Sequence, residues 1–287
     1  ITEWLPISST GHLILLEQLL PLKASDAFMS MFDVVIQLGA ILAVIVLFFH
    51  KLNPFSGRKS PKEKRQTWDL WFKVIVAVLP SVVLGLLLDD WLDAHLYNHV
   101  VVAIMLIVYG VAFVAVEQYN RTRRPAIRST NQITYQTALL VGCFQVLAMI
   151  PGTSRSGATI LAAILLGMSR TVGAEFSFFL AIPTMVGASG LKILKFILKG
   201  ATMSGSEWAC LIVASVVAFV VSLLAIRSLT NYVKRHHFSA FGIYRILLGI
   251  IVLVVYFVSS LEGDDVRIEL ILVEFDGWTC MIYFSGD

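Results

Sequence analysis

Charge is what this 287-residue chain has least of: 14% of its residues are Asp, Glu, Lys or Arg. A soluble domain carries about 25%. With 57% hydrophobic residues and a mean hydropathy of +0.82, the composition excludes an ordinary soluble enzyme and points to a polytopic membrane protein. Cysteine is scarce as well. Cys143, Cys210 and Cys280 are scattered and odd in number, and two lie in apolar segments. That excludes a disulfide framework and a cysteine-based metal motif. The net charge of +3 is too small to signal nucleic acid as a partner. An initiator Met is also missing: the chain opens on Ile1-Thr2-Glu3-Trp4, so further residues are expected upstream.

What is present is a series of apolar runs. Segments 32–49, 70–88, 100–116, 174–194, 208–226 and 238–257 are expected to span the membrane. Basic residues collect between them. Segment 51–68 holds six Lys or Arg against one Glu, and 117–136 holds Arg121, Arg123, Arg124 and Arg128. Segment 227–237 is basic again, whereas 89–99 has three Asp and no Lys or Arg. The positive-inside rule puts the basic loops in the cytoplasm and the acidic loop outside. Lys192, Lys195 and Lys199 at the outer end of their span argue mildly against this topology. Beyond residue 257 the character changes: 258–287 carries seven acidic residues and one Arg. It is too charged to span, and 266–275 and 278–284 could pair as a β-hairpin around Asp276-Gly277. The chain therefore divides into a membrane domain, 1–257, and an acidic extension, 258–287, without an assigned role.

Two polar breaks interrupt the apolar pattern. The central one is Pro151-Gly152-Thr153-Ser154-Arg155-Ser156-Gly157-Ala158-Thr159. Its flanks, 137–150 and 160–168, are each shorter than the ~20 residues a spanning helix needs. Two short apolar helices meeting at a polar loop read as a re-entrant hairpin, entering here from the cytoplasmic side. Such a loop survives at membrane depth only inside protein or a wet cavity, and an arginine there is a functional candidate by default. The other break is Glu3 to His12. Leu5-Pro6-Ile7-Ser8-Ser9 matches Ile150-Pro151-Gly152-Thr153-Ser154 at an offset of 145. In each copy a short helix follows, and then Phe32 or Phe176 opens a full span. The chain thus reads as two inverted repeats, each a hairpin plus three spans, with the first arm of hairpin one expected before Ile1. Repeats of this kind bring their breaks together near the midplane.

Each candidate has a plain alternative. Ser154, Arg155, Ser156 and Thr159 read as a phosphate clamp, or else as a solvated loop. Glu3 can ligate a divalent cation or act as a base, and His12 can move a proton. Ser8 or Ser9 can be a nucleophile if a base is near. The alternative for this group is a terminal surface loop. Arg245 lies too deep in its span to snorkel easily and reads as a second anion contact. Glu175 reads as interfacial, and Gln37 and Gln145 as helix-packing hydrogen bonders.

Glu-Trp-Leu-Pro-Ile-Ser-Ser-Thr-Gly-His, followed far downstream by Pro-Gly-Thr-Ser-Arg-Ser-Gly-Ala-Thr, resembles the undecaprenyl pyrophosphate phosphatase, or bacitracin-resistance, family. Supporting stretches are Phe32-Asp33-Val34-Val35-Ile36-Gln37-Leu38-Gly39 and Glu175-Phe176-Ser177-Phe178. The resemblance covers roughly residues 1 to 257. It implies an all-α polytopic enzyme of the bacterial plasma (inner) membrane. Such an enzyme removes the terminal phosphate of the C55 polyprenyl diphosphate carrier, recycling it for peptidoglycan synthesis and giving bacitracin resistance. The family's acidic motif is Glu or Gln, three residues, then Glu. Glu3 matches its second member, and the first would fall before Ile1. The resemblance assigns catalysis to Glu3, Ser9 and His12, and phosphate binding to Ser8, Ser154, Arg155, Ser156, Thr159 and Arg245. It assigns Mg²⁺ or Ca²⁺ to Glu3. The implied partners are the polyprenyl diphosphate lipid and the membrane, with no nucleic acid; a homodimer is compatible with it. A transporter or flippase for a polyprenyl phosphate is the competing reading, because inverted repeats are the mark of transporters.

Overall fold

A computed structural model describes residues 1–19, 26–96, 98–198, 200 and 203–262. Lys199, Cys280 and the expected hairpin of the acidic extension lie outside the described residues. The described residues are mainly helical, with no strand among them. The helices are α1 (Ser9–Leu19), α2 (Asp26–Leu47), α3 (Phe49–Leu52), α4 (Pro61–Leu96), α5 (His99–Asn120), α6 (Tyr135–Val146), α7 (Arg155–Leu165), α8 (Arg170–Leu198), α9 (Gly205–Tyr232) and α10 (Ser239–Glu262). Five have segments long and apolar enough to cross a membrane: Pro61–Leu88, His99–Asn120, Arg170–Leu198, Gly205–Tyr232 and Ser239–Val258. The sixth expected span falls on α2, whose described apolar part, Val35–Leu47, is shorter. Large apolar side chains such as Leu86, Ile212 and Leu247 are exposed. That suits lipid as the surrounding solvent.

Helix boundaries follow local chemistry where hydropathy alone misplaced them. The basic segment expected as loop up to residue 68 is helical from Pro61. Ser60 caps it: its hydroxyl oxygen accepts from the Glu63 amide at 3.3 Å, and its own amide donates to the Glu63 carboxylate at 2.7 Å. Proline at the first helical position completes the start signal. At the other end α4 runs on to Leu96, through most of the acidic segment expected as a loop, and α10 runs to Glu262, past residue 257.

The helices that matter most to the site are short. α6 has 12 residues and α7 has 11, so each is only about 17 Å long, little more than half the ~30 Å hydrocarbon core. Nine residues of α7 are buried, Ser156 through Ile164, so this helix sits inside protein. It packs on α8, α6 and α5, while α1 meets α10 and α5. The longer helices pair as α5 with α10 and α2 with α9, and α2 also packs on α8. Glycine sets one of these distances: a Cβ at Gly142 of α6 would stand 2.0 Å from the Ala77 carbonyl oxygen of α4. Beneath lies an aromatic core including Trp4, Phe113, Phe176, Phe178, Phe179 and Phe238. At one end, buried Glu117 of α5 binds the Arg170 guanidinium and accepts from the Phe238 amide at 3.0 Å. That contact ties α5, α8 and the start of α10.

Candidate active site

Both polar breaks enter a short helix through a strained serine. Ser8 and Ser154 each have φ of 69° and stand immediately before α1 and α7. Among the described residues they are the only non-glycine positions with positive φ. Such a conformation costs about 1–3 kcal/mol and collects at functional sites. The pair matches at an offset of 146, one residue on from the motif alignment, so Ser9 is the counterpart of Arg155. Ser154 caps α7, accepting from the Gly157 amide at 3.3 Å, and its hydroxyl lies 3.2 Å from that of Ser156.

The two loops meet at Glu3. The Ser9 hydroxyl donates to one carboxylate oxygen at 3.2 Å, and the Arg155 guanidinium donates to the other at 3.3 Å. A hydroxyl, a carboxylate and an orienting cation therefore form one chain across 152 residues of sequence separation. Arg155 is deep in protein. It stacks over the Trp4 ring, 5.9 Å from its centroid, and it also reaches the Ser177 carbonyl. Trp4 is fully buried and meets Phe178 edge-on, so the aromatic floor fixes the height of Arg155.

The remaining phosphate-clamp candidates brace the loops. Ser156 donates to the backbone carbonyls of Glu3 and Leu5, at 3.3 and 3.2 Å. The Thr159 hydroxyl is buried, 2.6 Å from the Ser177 hydroxyl and 2.9 Å from the Arg155 carbonyl. Arg245 is 0% exposed, and its guanidinium donates to the carbonyls of Pro6 at 3.2 Å and of Gly152 and Thr153 at 2.9 Å. One side chain from α10 staples both loops by their backbones. In this structure it is a loop clamp, a role the sequence did not show. The structural reason is three carbonyls of irregular backbone that need a donor at depth.

His12 takes a partner that the sequence did not show. Its Nδ1 lies 2.7 Å from the Ser8 carbonyl, and its Nε2 lies 2.7 Å from the Tyr244 hydroxyl. A carbonyl only accepts, so the neutral ring carries its proton on Nδ1, and Nε2 accepts from Tyr244. The ring also stacks on Tyr244. Tyr244 was missed in the sequence, where its place beside Arg245 was the only hint.

A cavity of about 490 Å³ opens beside this chain, lined by Glu3, Ser9 and Thr10 together with Phe32, Ile36, Gln37, Ala218 and Ser222. Asn98 and His99 also line it. A second cavity, of about 370 Å³, lies among Lys51, Lys59, Arg128, Glu63 and Glu175. Two of its cations have protein partners: Lys51 binds Glu175 at 2.6 Å, and Lys59 donates to the Thr67 hydroxyl at 2.7 Å. Among the described residues no cluster of three or more His, Cys, Asp or Glu could hold a metal.

Residues 1–251 match the family model described as bacitracin resistance protein BacA. The undecaprenyl-diphosphatase of Limosilactobacillus fermentum is 59% identical over 253 residues, 88% of this chain and 92% of that protein. That of Enterococcus faecalis is 60% identical over the same coverage. That of Streptococcus pyogenes serotype M4 is 55% identical over 257 residues, 90% of this chain and 92% of its own length. Matched over most of its length by the family model and by these relatives, the chain belongs to the bacitracin resistance protein BacA family.

Proposed function

We propose that this chain is an integral-membrane undecaprenyl-diphosphatase of the bacterial plasma membrane. It cleaves the terminal phosphate from the C55 carrier diphosphate, leaving the lipid monophosphate for peptidoglycan synthesis. The observation that carries the site is the Ser9–Glu3–Arg155 chain, a hydroxyl within reach of a base that a third group orients. In this reading the Ser9 oxygen attacks the terminal phosphorus while Glu3 takes the hydroxyl proton. The bond to the bridging oxygen breaks, and the lipid monophosphate leaves. Glu3 gives its proton to the departing lipid phosphate and is a carboxylate again when water attacks the phosphoserine. It takes the water proton and returns it to the Ser9 oxygen as the Ser9–phosphorus bond breaks and inorganic phosphate leaves. Arg155 turns its fork from Glu3 to the phosphate oxygens as charge builds there. A proton shuttle through His12 runs by way of the Tyr244 hydroxyl.

Mg²⁺ or Ca²⁺ fits this donor set as an ion held by Glu3 and completed by substrate oxygens, since Mg²⁺ is commonly bound by one or two carboxylates plus phosphates. Bound there, it would neutralise phosphate charge.

The architecture proposed is a pair of inverted repeats with re-entrant hairpins, forming one membrane domain over residues 1–257. Matched strained serines that each open a helix, and the packing of α1 on α10 and α7 on α5, support it. The topology follows the basic loops. A cysteine at Ser60 should resist an impermeant thiol reagent on intact cells, and one at Asn98 should react. The opposite labelling pattern inverts the proposal.

The purified chain in detergent should release phosphate from farnesyl or undecaprenyl diphosphate with no membrane potential, and a chelator should suppress the release. A transporter of polyprenyl phosphate releases none, and that outcome overturns the reading.

A further inference from the structure

The polar side chains buried between these helices fall into two groups. Gln145 of α6 donates to Ser81 of α4 at 3.0 Å and reaches Thr184 of α8 at 3.4 Å, which is the helix-packing role read from its sequence. Ser215 of α9 donates to the Leu211 and Val35 carbonyls. The Gln145 amide nitrogen and the Ser215 hydroxyl are thus taken up by protein. Gln37 of α2 and Ser222 of α9 are different. Neither side chain has a hydrogen-bond partner among the described residues, although Ser222 is 3% exposed. Both line the cavity that holds Glu3 and Ser9. The interface they share is tight, since a Cβ at Gly39 would stand 2.5 Å from the Ser215 carbonyl oxygen. The backbone therefore holds this wall close while leaving two polar groups turned to the cavity. Both groups face the cavity with donors that no described protein group takes up, so a ligand there can accept them.

We propose that Gln37 and Ser222 form the subsite for the phosphate that stays on the lipid. The inference rests on the phosphatase reading and adds a residue set to it. The reacting phosphate belongs with Ser9, Glu3 and Arg155. The prenyl chain belongs along Phe32, Ile36, Ala40 and Ala218, the apolar part of the same cavity. The phosphate joining them lies between those two regions. The amide supplies two N–H donors and the hydroxyl one. Both are neutral, so they need no counter-charge at membrane depth when the site is empty, and their bonds become charge-assisted when a phosphate arrives.

The test uses the purified chain with farnesyl diphosphate as substrate, and farnesyl monophosphate and inorganic phosphate as inhibitors. Gln37→Leu should raise KM for the diphosphate and weaken farnesyl monophosphate inhibition, each by about tenfold or more. Inorganic phosphate inhibition should stay unchanged, because it occupies the reacting subsite. The melting temperature without ligand should not fall, since no protein hydrogen bond is lost. Ser222→Ala should move the same two constants by less, and Gln37→Asn should recover part of the loss. Unchanged farnesyl monophosphate affinity in Gln37→Leu overturns the proposal. So does a lowered melting temperature with the ligand constants intact, which would make Gln37 a packing residue. Farnesyl monophosphate binding is also read directly by thermal shift, without turnover. A wild-type chain that binds it but hydrolyses nothing sinks the phosphatase reading. A hydrolysing chain whose Gln37→Leu variant binds normally sinks only this inference.

Discussion

Glu3→Gln should cost this enzyme about a hundred- to ten-thousand-fold in kcat, the range for a positioned general base. That corresponds to about 2.7–5.5 kcal/mol of barrier. The change is isosteric. An amide oxygen can still accept from Ser9 or from Arg155, so the loops should still meet and the chain should still insert and purify. What is lost is the charge at the point where the Ser9 hydroxyl and the Arg155 guanidinium converge, 3.2 and 3.3 Å from its two oxygens. The measurement is phosphate release from farnesyl diphosphate at saturating substrate, beside a melting curve. Near wild-type turnover in Glu3→Gln would move the base elsewhere and leave Glu3 as a loop anchor.

Arg155 should matter through its fork as well as its charge. A guanidinium can hold a carboxylate and then a phosphate with parallel N–H donors, whereas an ammonium is a point charge. Arg155→Lys should therefore keep diphosphate binding while losing most turnover. Arg155→Ala should lose more, about a hundred- to a thousand-fold, the cost of removing one transition-state donor, roughly 3–4 kcal/mol. The readout is single-turnover phosphate release together with substrate affinity for both variants. Near wild-type rates in both would show that the phosphate is held by other groups. Because Glu3 is the present partner of Arg155, the double variant Glu3→Gln/Arg155→Ala should cost less than the sum of the singles.

The membrane character and both polar breaks were legible in the sequence, because lipid demands long apolar runs and polar residues among them stand out. Ser9, Glu3 and Arg155 were read correctly as parts of one neighbourhood, since two unusual loops had to find each other. What sequence could not give was which partner each polar group takes. Arg245 gives no hint in the sequence of the three backbone carbonyls found around it. Gln37 and Gln145 look alike on paper, yet among the described residues it is the Gln145 amide that donates to protein hydroxyls. His12 reads as a free proton carrier until Tyr244, 232 residues away, is seen on its ring. Helix ends were misplaced for a simpler reason. Hydropathy marks where lipid stops, while the Ser60–Glu63 box decides where α4 starts.

The staple made by Arg245 also bears on the order of synthesis. A chain emerges from the ribosome N-terminus first. Both loops are therefore made long before α10, the last helix described. Until that helix is threaded into the membrane, the carbonyls of Pro6, Gly152 and Thr153 have no guanidinium to hold them together. A nascent or prematurely terminated chain would carry every group of the Ser9–Glu3–Arg155 chain without the clasp that sets the two loops against each other. The clasp thus waits on the insertion of α10, and fragments ending before that helix should be inserted yet inert towards the cell's carrier lipids.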